Sequence, residues 1–383
     1  MKPRVMIVMF PWRSNNPYKF VSEVAHILSF LSEKVIIVSD KKRLDAIIEN
    51  SSSIVIYDTK FSMHYITEIS PAIYSIFLWI LKMIYIQLKE ALIIAKNRRN
   101  IDIVIFYMAY PYYLLPLIIA KFLRKKTIEI VTRSKPSLID RLYFWILDGI
   151  SPESRGIIER LNLHKYSQKL LPEGARFIDT EKFKVKRKIK FRENSIGYLG
   201  RLTKEKGILQ LIDACELIAM KDGTFKCYIA GEGPLLDAVI KRAEKLKKQY
   251  NREIIRVLGY LPDEMVPEYL NRIKLFVLLS QHSEGLPTAI LESMACGTPV
   301  LTTPVGAITD IVTNGYNGFL ITDVDPLSIA ESIERIHSMN LTEISKNARK
   351  VVLSRYTLKK ATKRFTHIVS RLQRGDRYDK KYA

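Results

Sequence analysis

A nearly unbroken apolar run, KLFVLLS at residues 274–280, constrains the chain more than any other feature. Such a run, with no polar alternation, fits a strand covered on both faces, which is the habit of parallel sheets. Gly285 and Pro287 then break the extended pattern. Residues 288–296 show helical spacing, with Ile290, Leu291, Met294 and Ala295 apolar and Gly297 placed to stop the helix. The next strand begins at once, at residues 299–302. Further βα pairs follow the same rhythm: a strand from Ser195, a helix at 208–220, a strand at 225–230, a helix at 235–246 and a strand at 254–258. Strands alternating with helices imply parallel sheets with helices on their faces.

This reading leaves two carboxylates in uncommon places. Glu284 falls in the strand-to-helix loop and Glu292 in the helix. In an open α/β sheet, ligands bind outside the carboxyl ends of the strands, where helix N-termini also present free N–H groups to anions. Both glutamates are expected to point to that crevice. The bland alternative makes Glu292 an exposed helix residue and Glu284 a partner of the helix dipole.

The stretch HSEGLPTAILESMACGTPV, residues 282–300, resembles the signature of retaining glycosyltransferases of family 4. A second block, GRLTKEKG at residues 200–207, resembles the diphosphate-binding segment of the same family. The resemblance implies an α/β chain of GT-B architecture, two Rossmann-like βαβ domains with parallel sheets facing a central cleft. Residues 1–182 would bind the acceptor and 183–365 the nucleotide sugar, with 366–383 a closing helix and tail packed back towards the first domain. It further implies that Arg201 and Lys206 meet the diphosphate of a UDP- or GDP-sugar, that Glu292 binds the ribose hydroxyls and that Glu284 binds the donor sugar. The backbone of Gly285, Leu286, Pro287 and Thr288 would meet phosphate or sugar oxygens.

The chain departs from the family in two places. Arg13, Ser14, Asn15 and Asn16 stand where the first loop is usually glycine-rich, and Arg133 stands where a histidine commonly follows a strand of the first domain. Arg133 either binds a charged acceptor or donor group or is an ordinary loop arginine. The expected activity needs no cofactor and no tightly bound metal. Asp323-x-Asp325 imitates a metal-binding pair, but it precedes Pro326 and a helix, where Asp325 makes a good N-cap. GEGP at residues 231–234 reads as the tight turn of a βα unit, since a lone G-x-G is weak evidence for phosphate binding.

At 383 residues the chain exceeds what one hydrophobic core usually holds. Its 48% hydrophobic and 26% charged content excludes a disordered or fibrous chain. Three cysteines, Cys215, Cys227 and Cys296, form no C-x-x-C pair and fit a reducing compartment. The opening MKPRVMIVMF reads directly as a strand, without a signal-peptide pattern, so a cytoplasmic protein is expected.

Lys plus Arg number 61 against 39 Asp plus Glu, a net charge of +22, which favours an anionic partner. The basic residues are spread along the chain with no nucleic-acid-binding signature, so an anionic membrane surface or a diphosphate ligand is the expected partner and nucleic acid is not. Residues 71–96 are the most apolar, yet Lys82, Gln87, Lys89 and Glu90 interrupt them and shorten the run below a spanning helix. They fit a core-packing helix, or an interfacial one with Phe77 and Trp79 towards lipid headgroups at the cytoplasmic leaflet, presenting a glycan or lipid-linked sugar acceptor. Two other classes stay open at this stage: a nucleotide-sugar 2-epimerase of GT-B fold and a basic nucleic-acid-binding protein.

Overall fold

The computed structural model describes residues 2–9, 16–45, 53–59, 72–107, 113–132, 136–137, 139–173, 176–282 and 285–374. In chain order the elements are β1 (Arg4–Met9), α1 (Asn16–Leu31), β2 (Lys34–Ser39), α2 (Lys41–Asp45), β3 (Ile54–Asp58), α3 (Ala72–Lys96), β4 (Ile103–Tyr107), α4 (Leu114–Phe122), β5 (Lys126–Val131), α5 (Asp140–Ile146), β6 (Gly149–Pro152) and α6 (Arg155–Arg160). There follow β7 (Ser195–Leu199), α7 (Ile208–Lys221), β8 (Lys226–Ala230), α8 (Leu236–Tyr250), β9 (Ile255–Gly259), α9 (Val266–Arg272), β10 (Leu275–Leu278), α10 (Thr288–Ala295), β11 (Val300–Thr302), β12 (Phe319–Leu320), α11 (Pro326–Ser338), α12 (Thr342–Arg355) and α13 (Leu358–Arg374). They fall into two compact units, Met1–Phe177 with Leu358–Ala383, and Ile178–Thr357.

The first unit holds a six-stranded sheet in the order β3-β2-β1-β4-β5-β6, every pair parallel. Its strands are Val- and Ile-rich on both faces, and the two-residue period of a strand divides them between two cores. Val5, Ile7, Val35 and Ile37 face α1 and α13, packing with Val21, Leu28, Phe365 and Ile368. Met6, Val8, Val104 and Phe106 face the opposite way, towards Ile86 and Ile94 of α3, Leu117 of α4 and Phe144 of α5. The second unit repeats the plan with the order β12-β11-β10-β7-β8-β9, again all parallel.

The boundary between units falls within single peptide links. Phe177 packs on the first core, whereas Ile178 is buried in the second and donates its N–H to the Tyr356 carbonyl at 2.7 Å. On the return, Tyr356 is buried in the second core and Leu358 packs on the first. The sequence reading placed these breaks after residues 182 and 365, taking the charge-dense 182–194 stretch as an exposed connector. Phe183 and Ile189 are instead buried in the second core. Between them and β7, the Arg192 guanidinium is 7% exposed and donates to the carbonyls of Arg187, Leu270, Ile273 and Cys296 and to Thr298 Oγ1. Every one of these partners is a neutral oxygen, and burial pulls the pKa of Arg192 down to about 10.

Arg192→Leu should therefore destabilise the second unit by roughly 3 kcal/mol, because several buried acceptors lose their donor at once. Arg192→Lys should restore little, since an ammonium lacks the planar fork that reaches all of them. Urea unfolding of the variants measures this, and a loss under about 1 kcal/mol for Arg192→Leu would contradict the clamp.

Candidate functional site

The second sheet changes its direction of growth at β7. The chain runs from β7 to β8 and β9 on one side, then returns to add β10, β11 and β12 on the other. Loops leaving two adjacent strands at such a reversal diverge to opposite faces of the sheet and open a crevice at its carboxyl edge. The strands flanking this reversal are β7 and β10, and the loops that leave them are residues 200–207 and 279–287. These loops carry GRLTKEKG and the SEGLP segment. The topology brings the two blocks together although they lie far apart in the chain.

The contact between the loops is direct. The 200–207 loop closes in a short 3-10 turn at Lys204–Lys206 and ends on Gly207, whose φ of +66° suits glycine. A Cβ on Gly207 would lie 2.6 Å from the Leu279 carbonyl oxygen, so the turn and the exit of β10 are in backbone contact. The Gln281 N–H donates to the Glu205 carbonyl at 2.8 Å, stitching one loop to the other. From the other side the turn is braced by the loop after β8: Leu202 N–H donates to the Glu232 carbonyl at 2.8 Å and Leu235 N–H to the Leu202 carbonyl at 3.1 Å. Gly231 there has φ of +137°, and a Cβ would overlap the Gly200 carbonyl oxygen at 1.8 Å. GEGP is thus a packing turn that props the diphosphate-like block, as its sequence suggested.

Arg201 is exposed, with its guanidinium donating to Glu205 Oε1 at 3.2 Å. Its backbone is held by the Tyr198 hydroxyl, which donates to the Arg201 carbonyl at 2.8 Å. The Glu205 backbone N–H, and then Arg201 among other donors, keep the Glu205 carboxyl below its ordinary range. An ion pair so exposed contributes at most about 1 kcal/mol, which leaves the Arg201 fork easily exchanged to an incoming anion. Lys206 is half-buried on the same turn, beside exposed Lys204.

In the second loop, Thr302 Oγ1 donates to the Leu278 carbonyl at 2.7 Å and Thr303 Oγ1 to the Ser280 carbonyl at 2.5 Å, pinning the ends of β10 and β11 together. Leu286 is buried and anchors the loop, Gly285, Pro287 and Thr288 are half-buried, and α10 starts at Thr288. Ile290 and Leu291 return their N–H groups to the Pro287 carbonyl at 3.2 and 3.4 Å, so the helix starts at the same carboxyl edge with its N-terminus towards it. Glu292, the fifth residue of α10, is 6% exposed between buried Leu291 and Ser293, so it is no exposed helix residue.

Glu284 and Arg133 lie outside the described residues, as do Arg13, Ser14 and Asn15; Asn16 opens α1. Of the expected site, Arg201 and Lys206 lie on the turn after β7, Gly285, Leu286 and Pro287 on the loop after the adjacent strand β10, and Thr288 and Glu292 on α10. The sequence reading passed over Gln281, whose N–H joins the two loops, and Thr303, whose hydroxyl ties the exit of β11 to that of β10. Their signal was the polar residue directly after each apolar strand run. Asp325 is the N-cap of α11, accepting from the N–H groups of Leu327 and Ser328, and Asp323 accepts from Asp325 N–H and Ser328 Oγ. Those two carboxylates are occupied at a helix start. Among the described residues, no group of three or more His, Cys, Asp or Glu is placed to hold a metal ion.

The chain is similar to known proteins in part of its sequence and in its fold. Residues 179–351, nearly the whole second unit, match the family described as glycosyl transferases group 1. The chain is 29% identical over 165 residues to the amylovoran biosynthesis glycosyltransferase AmsK of Erwinia amylovora, covering 42% of this chain and 40% of that protein. It is 32% identical over 164 residues to the capsular polysaccharide biosynthesis glycosyltransferase CapM of Staphylococcus aureus, covering 42% of each. The chain thus spans about two fifths of the length of the curated relatives it matches. In three dimensions, the crystal structure of Anabaena HepE in complex with UDP and glucose aligns over 96% of this chain and 99% of its own, with a TM-score of 0.70 at 15% identity. The fold is the two-domain, Rossmann-like α/β architecture of GT-B glycosyltransferases.

The loop contact makes a testable demand on Gly207. Gly207→Ala should cost about 2 kcal/mol or more, from the left-handed backbone and the encroachment on Leu279 together. Gly223→Ala, where an added Cβ meets nothing within 4 Å, should be near neutral. Chemical unfolding of the pair decides it, and equal stability of the two variants would contradict the backbone contact.

Proposed function

We propose that this chain is a retaining glycosyltransferase that moves a sugar from a UDP- or GDP-sugar to a hydroxyl of a glycan or lipid-linked acceptor. One observation carries the reading: the cation-bearing turn at 200–207 is tied to the exit of β10, in the loop that leads into α10, at the β7–β10 reversal, where an α/β sheet receives its ligands. The match of residues 179–351 to glycosyl transferases group 1 supports it.

The chemistry follows from charge. Breaking the bond between the anomeric carbon and the β-phosphate leaves new negative charge on the departing oxygen. Fixed cations aimed at that oxygen stabilise the transition state more than the ground state. Arg201 supplies a planar fork and Lys206 a point charge, and the N–H groups at the start of α10, with the backbone of Gly285 and Leu286, meet the remaining oxygens. Glu292 accepts hydrogen bonds from the ribose hydroxyls, Glu284 orients the donor sugar, and Arg133 of the first unit is assigned to a charged group on the acceptor side. With this positive field built from side chains and backbone, no divalent ion is needed. The enzyme is proposed to work at the cytoplasmic face of an anionic membrane and to bind no nucleic acid.

Arg201→Ala and Lys206→Ala should each lower the transfer rate on the order of 10²-fold or more, by analogy with the loss of other preorganised charge-stabilising groups. Transfer should survive EDTA. A donor screen by mass spectrometry measures both, with full activity of the two variants, or loss on chelation restored by Mn²⁺, as the contradicting results. Release of an epimerised sugar without an acceptor would assign the same site to a 2-epimerase.

A further inference from the structure

The helices on one face of the first sheet present an apolar surface that nothing in the described chain covers. On α3, Ile80, Ile84, Leu88 and Leu92 recur every fourth residue with Leu81 and Tyr85 beside them, and each is 45–59% exposed. These positions fill one arc of the helix, while Met83, Ile86 and Ile94 turn inwards to the core. The neighbouring helix α4, packed against α3, continues the surface with Ile118 and Phe122, the latter 82% exposed. Helix α5, packed against α4, adds Leu142 and Trp145, the latter 70% exposed. A core-packing helix has no use for such a row. Ten large apolar side chains displayed on three adjacent helices exceed the scattered exposure of an ordinary surface.

Charge identifies the occupant. Lys82, Lys89 and Lys96 follow one another at seven-residue spacing along one border of the α3 arc, and Arg98 and Arg99 extend that border beyond the helix. Arg124, Lys125 and Arg141 border the α4 and α5 part. Among the described residues of α3 and α4 there is one acidic side chain, Glu90, and it is fully buried on the inner side. Helix α5 adds one more acid, Asp140, half-buried at its start, where it accepts from the Ser137 N–H at 2.8 Å. An apolar centre of aliphatic residues with Trp, Tyr and Phe, bordered mostly by cations, complements the interface of an anionic bilayer. No helix among the described residues is long and apolar enough to cross a membrane, so contact would be from the side.

We propose that the α3–α4–α5 face is a membrane-docking surface that seats Leu88, Leu92, Phe122 and Trp145 among the headgroups of an anionic lipid bilayer, with Lys96, Arg98 and Arg99 against the lipid phosphates. This goes beyond the transfer reaction; the side chains of Phe77 and Trp79, expected to face lipid, lie outside the described residues.

The test uses the full chain and vesicles of phosphatidylcholine with and without phosphatidylglycerol, in the absence of donor and acceptor, so that its outcome is separate from that of the proposed activity. The wild-type chain should pellet with phosphatidylglycerol vesicles at low salt, bind about tenfold less at 0.5 M salt, and leave pure phosphatidylcholine largely unbound. Leu88→Glu/Leu92→Glu and, separately, Phe122→Ser/Trp145→Ser should each weaken vesicle binding at least tenfold. These side chains are exposed, so both variants should keep the wild-type melting temperature, and Leu353→Glu on α12 should change nothing. Wild-type binding by both double variants would overturn the proposal. So would a wild-type chain that stays in the supernatant at low salt, or a dimer by light scattering that the Leu88/Leu92 variant splits, which would give the face to a second copy.

Discussion

The parallel pairing of β7 with β10 places Leu275 beside Ile196 and Phe276 beside Gly197, and the functional half of the chain depends on that junction. Forming it requires the chain to build β8 and β9 on one flank and then cross back to the other, which leaves the exits of the two strands diverging around an open crevice. Close packing beneath the junction keeps it in register. A Cβ on Gly197 would lie 2.5 Å from both Ile273 Cδ1 and the Tyr269 hydroxyl, and that hydroxyl bridges the carbonyls of Tyr198 and Tyr228. Only because the strands meet there can Gln281 reach Glu205 and Gly207 touch Leu279. The cations of the 200–207 turn are thereby held beside the exit of β10, in the loop that leads into α10.

Much of this was legible in the residues, for reasons that differ by element. The apolar run before Gln281 is too uniform for a half-exposed strand, and Asp325 before Pro326 leaves little choice but a helix cap. The turn at GEGP was readable because two glycines so near a strand end signal close backbone approach. What sequence could not disclose was burial. Arg192 sits in a run of lysines and arginines that looks solvated, and nothing local shows that its guanidinium closes over the ends of α9 and α10. Glu292 looked as much like a surface carboxylate as a buried one, because a single charged residue does not reveal which side of its helix is covered.

Helix α3 shows the same limit from the opposite direction. Its length and type were plain, but a helix that is apolar almost all round has no periodicity to say which part is covered. Tertiary packing decides that Met83 and Ile86 meet the sheet while Ile84 and Leu88 do not. The strong positive charge of the chain likewise divides by location. Arg192 is internal and structural, Arg201 and Lys206 stand at the crevice, and the row from Lys82 to Arg99 borders an exposed apolar face.

The central claim is that one nucleotide diphosphate is held by both loops of the β7–β10 reversal at once. Hydrogen–deuterium exchange of the full chain with and without UDP tests it most directly, because binding slows exchange where backbone amides are engaged. The account expects slowed exchange at residues 200–207 and again at 285–292, with little change along α12 on the same unit. Protection confined to one of the two loops, or found elsewhere in the second unit with both loops unchanged, would contradict it.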